Sequence, residues 1–169
     1  MENNIKLFVD MDGTLAEWRK AASYEHLFLD DYFYTLKPHR TLIRWLDKIQ
    51  NENKNVEVYV ASSYILDKHI NEKNLWLDKY FPISEDRRIF IPEDCKKSEC
   101  VSKFLNEQIT INHILLDDFT QNLVEWENNG GTSIKALNGI NKLDEKWKGL
   151  ALDIFKLKFL DNKKMEEIV

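Results

Sequence analysis

The chain has 169 residues, 43% of them hydrophobic and 31% charged, a balance that suits one soluble globular domain and excludes a disordered or fibrous chain. Its formal net charge of -5 excludes the broad basic face that binding to a nucleic-acid polymer requires. No apolar run approaches the roughly 18 residues of a membrane span, and no basic stretch followed by an apolar segment opens the chain. A cytoplasmic protein with no membrane partner is expected. Cys95 and Cys100 have no His-rich partner segment and read as free thiols.

The first element is "IKLFVDM" (5–11), an apolar run that ends in Asp10 and Asp12 and turns at Gly13 and Thr14. Alternation along a strand puts Asp10 and Asp12 on one side. Residues 16–37 follow, with Trp18, Tyr24, Phe28, Tyr32, Phe33 and Tyr34. That density of aromatics reads as a small helical cap inserted after the first strand, within a single domain over 1–169. Pro38 then starts a helix over 38–52, with Leu42, Trp45, Leu46 and Ile49 at i, i+3, i+4 and i+7. "VEVYVAS" (56–62) is a second strand, ending at Ser62 and Ser63. A helix over 64–80 stops before Pro82, "RRIFI" (87–91) is a third strand, and a helix over 97–107 opens beside Lys96 and Lys97. "HILLDD" (113–118) is a fourth strand, ending in Asp117 and Asp118. A helix over 120–128 closes at Gly130 and Gly131, and "TSIKAL" (132–137) is a fifth strand. From 143 onward "WKGLALDIFKLKFL" reads as one docked helix that frays by Lys163.

Strands apolar on both faces, alternating with helices, imply an α/β fold: a Rossmann-like, three-layer parallel sheet wound by right-handed crossovers. In such sheets ligands bind beyond the carboxyl ends of the strands. Those ends carry Asp10 and Asp12, Ser62 and Ser63, the loop with Lys96 and Lys97, and Asp117 and Asp118. Carboxylates packed together repel and raise one another's pKa unless a cation sits among them. A hard divalent ion such as Mg²⁺ relieves that repulsion and accepts a phosphate in its shell.

"DMDGT" after an apolar strand resembles the first motif, D-x-D-G-[T/V], of the haloacid-dehalogenase-like phosphohydrolases. Ser62 after "VYVA" is similar to the second motif, Lys97 to the third, with Lys96 as its fallback, and "LLDD" to the fourth. "EVYVASSYI", "NEKNLWLDKYFP" and "HILLDDFTQNLVEWENNGGTSIKALNGIN" look like the 5′(3′)-deoxyribonucleotidase branch, although Ser62, Ser63 and Tyr64 stand where that branch often has Thr-Ser-Pro. The resemblance implies a Mg²⁺-dependent phosphomonoesterase, a 5′-nucleotidase acting on a small-molecule phosphomonoester. In it Asp10 is the nucleophile and Asp12 the acid and base. Ser62, Ser63 and Lys97 hold phosphate together with the N–H groups of Met11 and Asp12, and Lys73 is a secondary candidate. The metal falls to Asp10, to Asp12 through its main-chain carbonyl, and to Asp118, with Asp117 acting through water or as support. A monomer or a homodimer is compatible with that branch. Two other readings compete: a phosphatase for a sugar phosphate, and a phospho-receiver switch. In receivers the acidic pair precedes the accepting aspartate, the reverse of the order here.

Overall fold

Strand β1 (Ile5–Val9) sends Leu7 and Val9 into one buried cluster and Phe8 into another, so it needs cover on both faces. The computed structural model, which describes residues 4–18, 23–140 and 147–161, supplies that cover. Helices α1 (Arg40–Glu52) and α2 (Asp67–Tyr80) bring Leu42, Leu46, Trp76 and Leu77 to the first cluster. Helices α3 (Lys97–Leu105) and α4 (Thr120–Asn128) bring Val101, Leu123 and Trp126 to the second. Each large apolar side chain buried this way is worth roughly 1.5–3 kcal/mol.

The middle layer is a seven-stranded sheet. Strands β2 (Val56–Tyr64), β3 (Arg88–Pro92), β4 (His113–Asp117) and β5 (Thr132–Leu137) run parallel to β1. With β6 (Leu150–Asp153) and β7 (Lys158–Asp161) the spatial order is β3-β2-β1-β4-β5-β6-β7. The order reverses between β1 and β4, which opens a crevice at their carboxyl ends. Outside the segment at 16–37, every strand and helix expected before residue 140 is present, with ends displaced by three residues at most. Gly130, at φ +95° just beyond α4, takes the left-handed conformation expected of a helix stop.

The expected C-terminal helix is corrected. Residues 147–161 instead carry β6 and β7, while 143–146 and Lys163 lie outside the described residues. Strand β6 adds to the free edge of β5 in parallel, Ile134 opposite Leu150, and β7 returns antiparallel to β6. Asp153 Oδ1 accepts the N–H groups of Phe155 and Lys156, both at 3.0 Å, and Leu157 at φ +52° completes the reversal. An aspartate that captures N–H groups two and three residues on makes a turn, and that local bond breaks the helical reading.

The segment after β1 is held at its neck by backbone bonds from Glu17 N–H to Lys37 O (2.7 Å) and from His39 N–H to Leu15 O (2.8 Å). It carries less helix than expected: its described part is helical over Tyr24–Phe28 as a 3-10 segment, and the rest is turns. Tyr32 and Phe33 are buried, whereas Tyr24 and Phe28 are exposed and pack edge to face. Among the described residues no helix is long and apolar enough to cross a membrane.

Candidate active site

Strand β1 delivers Asp10 to the crevice with its own N–H bonded to Leu116 O of β4 at 2.9 Å. The chain then doubles back. Gly13 N–H donates to Ala16 O and Ala16 N–H to Met11 O, both at 2.8 Å, with longer bonds from Thr14 to Met11 O and from Leu15 to Asp10 O. The N–H groups from Gly13 to Ala16 are thus engaged inside the turn, while among the described residues those of Met11 and Asp12 make no such bond. Gly13 sits at φ +87°, and a Cβ there would lie 2.3 Å from Asp118 Oδ2. The position therefore needs glycine for both conformation and space.

Three carboxylates converge here. Asp10, Asp117 and Asp118, all buried, each offer an oxygen within 4.8 Å of the others. Lys97, at the first turn of α3 and also buried, donates to Asp10 Oδ1 (2.6 Å), Asp117 Oδ2 (2.7 Å) and the carbonyl of Ala61 (2.9 Å). Burial pushes the Asp10 carboxyl well above the usual carboxylate range; Lys97 pulls it down, and the charges of Asp117, Asp12 and Asp118 push it further up. Burial works against the Lys97 ammonium, yet Asp10 and Asp117 outweigh it and hold the charge on. One ammonium among three carboxylates leaves excess negative charge, which a divalent cation would offset. The donor set is carboxylate oxygen without His or Cys, the chemistry of Mg²⁺ or Ca²⁺ rather than Zn²⁺. The residues present therefore fit a hard divalent ion.

The members are not equivalent. Asp117 Oδ1 accepts the Phe119 N–H (2.8 Å), and its Oδ2 takes Asn122 Nδ2 (2.9 Å) as well as Lys97. Both its oxygens are committed, which suits a support to the site better than a direct ligand. The Asp12 side chain is not in the cluster. Its Oδ2 pairs with Lys73 at 2.5 Å, and its Oδ1 is buried without a partner among the described residues.

Lys73, fully buried on α2, also donates to Ser62 Oγ (2.8 Å) and to the carbonyl of Ser63 (2.5 Å). Ser63 meets the site through its main chain. Lys96, the fallback for Lys97, is exposed and pairs with Glu99 at 3.2 Å, whereas Lys97 is the lysine that reaches Asp10 and Asp117.

Helix α2 also carries the segment after β1. Lys68 donates to Phe28 O and Asp30 Oδ1, both at 2.8 Å. Glu72 accepts the N–H groups of Asp31 (3.2 Å) and Phe33 (3.0 Å), and Trp76 Nε1 donates to Leu36 O (2.8 Å). Positions 68, 72 and 76 lie four apart on one helical face, so the segment is fastened at three points. On the adjoining face the Phe33 ring lies 4.4 Å from the Lys73 ammonium and 4.7 Å from the His69 ring. Glu72 and Asn122 were not singled out in the sequence, where polar residues on helices give no local signal; Asn138 was not singled out either, although it directly follows the fifth strand.

Solved structures of like architecture include the following two proteins. The N-terminal part of a Bacteroides fragilis protein, containing a phosphatase domain complexed with Mg, matches with a TM-score of 0.56 at 16% identity. That match covers 95% of this chain and 42% of the other, so this chain spans less than half of its neighbour. A hydrolase from Pseudomonas syringae matches with a TM-score of 0.56 at 12% identity, over 84% of this chain and 88% of the other. All three share one fold. At these identities the likeness extends to architecture alone. No protein-family model matches the sequence, and no curated protein sequence matches it significantly.

Proposed function

We propose that this chain is a Mg²⁺-dependent phosphomonoesterase that works through an aspartyl-phosphate on Asp10. The observation that carries this reading is the meeting of Asp10, Asp117, Asp118 and Lys97 at the point where the strand order reverses, with Asp12 held on Lys73 beside Ser62. The phosphatase domain and the hydrolase that share the fold support it.

Asp10 attacks phosphorus, its new P–O bond forming as the bond to the leaving alcohol breaks, so one difficult displacement becomes two easier ones. Asp12 gives a proton to the departing oxygen, then takes one from the water that attacks the phosphoryl group and frees Asp10. A positioned acid and base of this kind is typically worth about 10² to 10⁴ in rate. Lys97, Ser62 and the N–H groups of Met11 and Asp12 hold the phosphoryl oxygens, where charge must be balanced. Lys73 adds a second ammonium 2.8 Å from Ser62 Oγ. Asp10 and Asp118 would hold Mg²⁺, with Asp117 behind them; when bound, the ion offsets carboxylate and phosphoryl charge.

The preferred substrate is a (deoxy)ribonucleoside monophosphate. Support comes from the aromatic segment fastened to α2 and from the exposed rings of Tyr24, Phe28 and Phe119, the last directly after Asp118. The buried Tyr32 and Phe33 serve the packing of that segment instead. A receiver switch is disfavoured, since receiver-type sheets follow the order 2-1-3-4-5 and this one does not.

The test is phosphate release from nucleotides, sugar phosphates and an aryl phosphate, with and without EDTA, alongside Asp10→Asn. Turnover that survives in Asp10→Asn removes the mechanism. Nucleotides no better than the aryl phosphate remove the substrate class.

A further inference from the structure

Asn138 follows β5 directly, one strand beyond the acidic pair, and its side chain is buried. Its Nδ2 donates to the carbonyl of Gly13 (2.8 Å) and to Asp118 Oδ2 (2.9 Å), while its Oδ1 accepts the Ile140 N–H (2.9 Å). The orientation of the amide follows from these partners. Turned over, its oxygen would face two acceptors and its nitrogen a donor. The same strand supplies Lys135, buried, whose Nζ donates to the main-chain carbonyl of Asp118 (3.0 Å) and to Thr120 Oγ1 (2.6 Å). Asp118 is therefore gripped twice from β5, at its backbone by Lys135 and at its carboxylate by Asn138. Gly13 closes the other side, with no Cβ to displace Oδ2.

We propose that Asn138 is a positioning residue that fixes the rotation of the Asp118 carboxylate and thereby sets both the affinity of the cation site and its preference for Mg²⁺ over Ca²⁺. This rests on the cation site proposed above. Held at Oδ2 by the amide, the Asp118 carboxylate resists a rotation that would bring both oxygens onto one ion. A one-oxygen ligand suits Mg²⁺, which demands a small octahedral shell, whereas Ca²⁺ tolerates two-oxygen carboxylates in a larger and looser one. The Gly13 carbonyl is tied in by the same amide, so the turn after β1 and the end of β4 keep a fixed spacing. Groups that orient ligating carboxylates in this way typically change metal affinity by about 10- to 100-fold when removed.

The experiment measures Mg²⁺ and Ca²⁺ binding by calorimetry to the full chain and to Asn138→Ala, with thermal unfolding in EDTA to verify the fold. Asn138→Ser, which keeps an oxygen for the Ile140 N–H, serves if the alanine variant does not fold. The expected result is a loss of Mg²⁺ affinity of about 10- to 100-fold with a smaller loss for Ca²⁺, so that the Mg²⁺ preference shrinks. Unchanged Mg²⁺ affinity, or equal losses for both ions, overturns the role of Asn138 and leaves the cation site standing. A parent chain that binds neither ion removes the site itself, and this role with it.

Discussion

Lys73→Met keeps the length of the side chain and removes its ammonium, which touches Asp12 Oδ2 and the Ser63 carbonyl at 2.5 Å and Ser62 Oγ at 2.8 Å. Lys73 is fully buried and the Asp12 side chain is 19% exposed, so the change strands a mostly buried carboxylate whose other oxygen has no partner among the described residues. Removing one member of a buried pair costs about 3–5 kcal/mol. The residual exposure of Asp12 puts the loss at the lower end, about 3 kcal/mol. At about 2–4 °C per kcal/mol for a chain of this size, the melting temperature should fall by roughly 6–12 °C. Thermal and urea unfolding of Lys73→Met, Asp12→Asn and the double variant in EDTA at neutral pH measure this. The double variant should be less destabilised than the sum of the single ones, with a coupling of about 1–3 kcal/mol. Turnover should drop on the order of 10²-fold, because an ammonium at the proposed phosphoryl site is gone. Additive costs, or a melting temperature within about 2 °C of the parent, would refute the pairing.

Asp10→Asn should abolish turnover and raise stability in metal-free buffer. Because the folded-state pKa of Asp10 is raised, the folded chain binds the extra proton, and stability falls as pH climbs from 3.8 through the folded value. The variant cannot lose that proton, so its advantage in urea midpoint should grow with pH over that window; an advantage that shrinks with pH contradicts the sign. Glu72→Ala leaves two backbone N–H groups without their carboxylate and should cost about 1–3 kcal/mol. Its KM should rise for substrates with an organic leaving group, while inhibition by inorganic phosphate stays unchanged. Gly13→Ala drives a methyl group into Asp118 at a backbone φ of +87° and should abolish Mg²⁺ binding measured by calorimetry.

Much of the fold was legible because apolar runs on both strand faces, punctuated by polar turns, leave few alternatives to a wound parallel sheet. Asp10, Asp12, Asp117 and Asp118 stood out because each ends or follows a strand at the same edge of the sheet, whereas Ser62 and Lys97 took their weight from the order of the motifs along the chain. The C-terminal hairpin was hidden, since "LALDIFKLKFL" carries apolar residues that suit either period. What decides between them is the free edge of β5, a tertiary partner, and the turn that Asp153 closes. The Lys73–Asp12 pair spans 61 residues, and nothing local to either reveals it. Lys73 entered only through resemblance. Asn138 could have been found by applying the strand-end rule to the fifth strand as it was applied to the fourth.

The most direct test is to quench the chain during turnover of a phosphomonoester with Mg²⁺ present and to locate the phosphoryl group by borohydride reduction and mass spectrometry. The expected product is homoserine at position 10, formed by reduction of an acyl phosphate on Asp10 and absent when EDTA is added first. Hydrolysis that proceeds while Asp10 stays unmodified, or a phosphoryl group trapped on another residue, would contradict it.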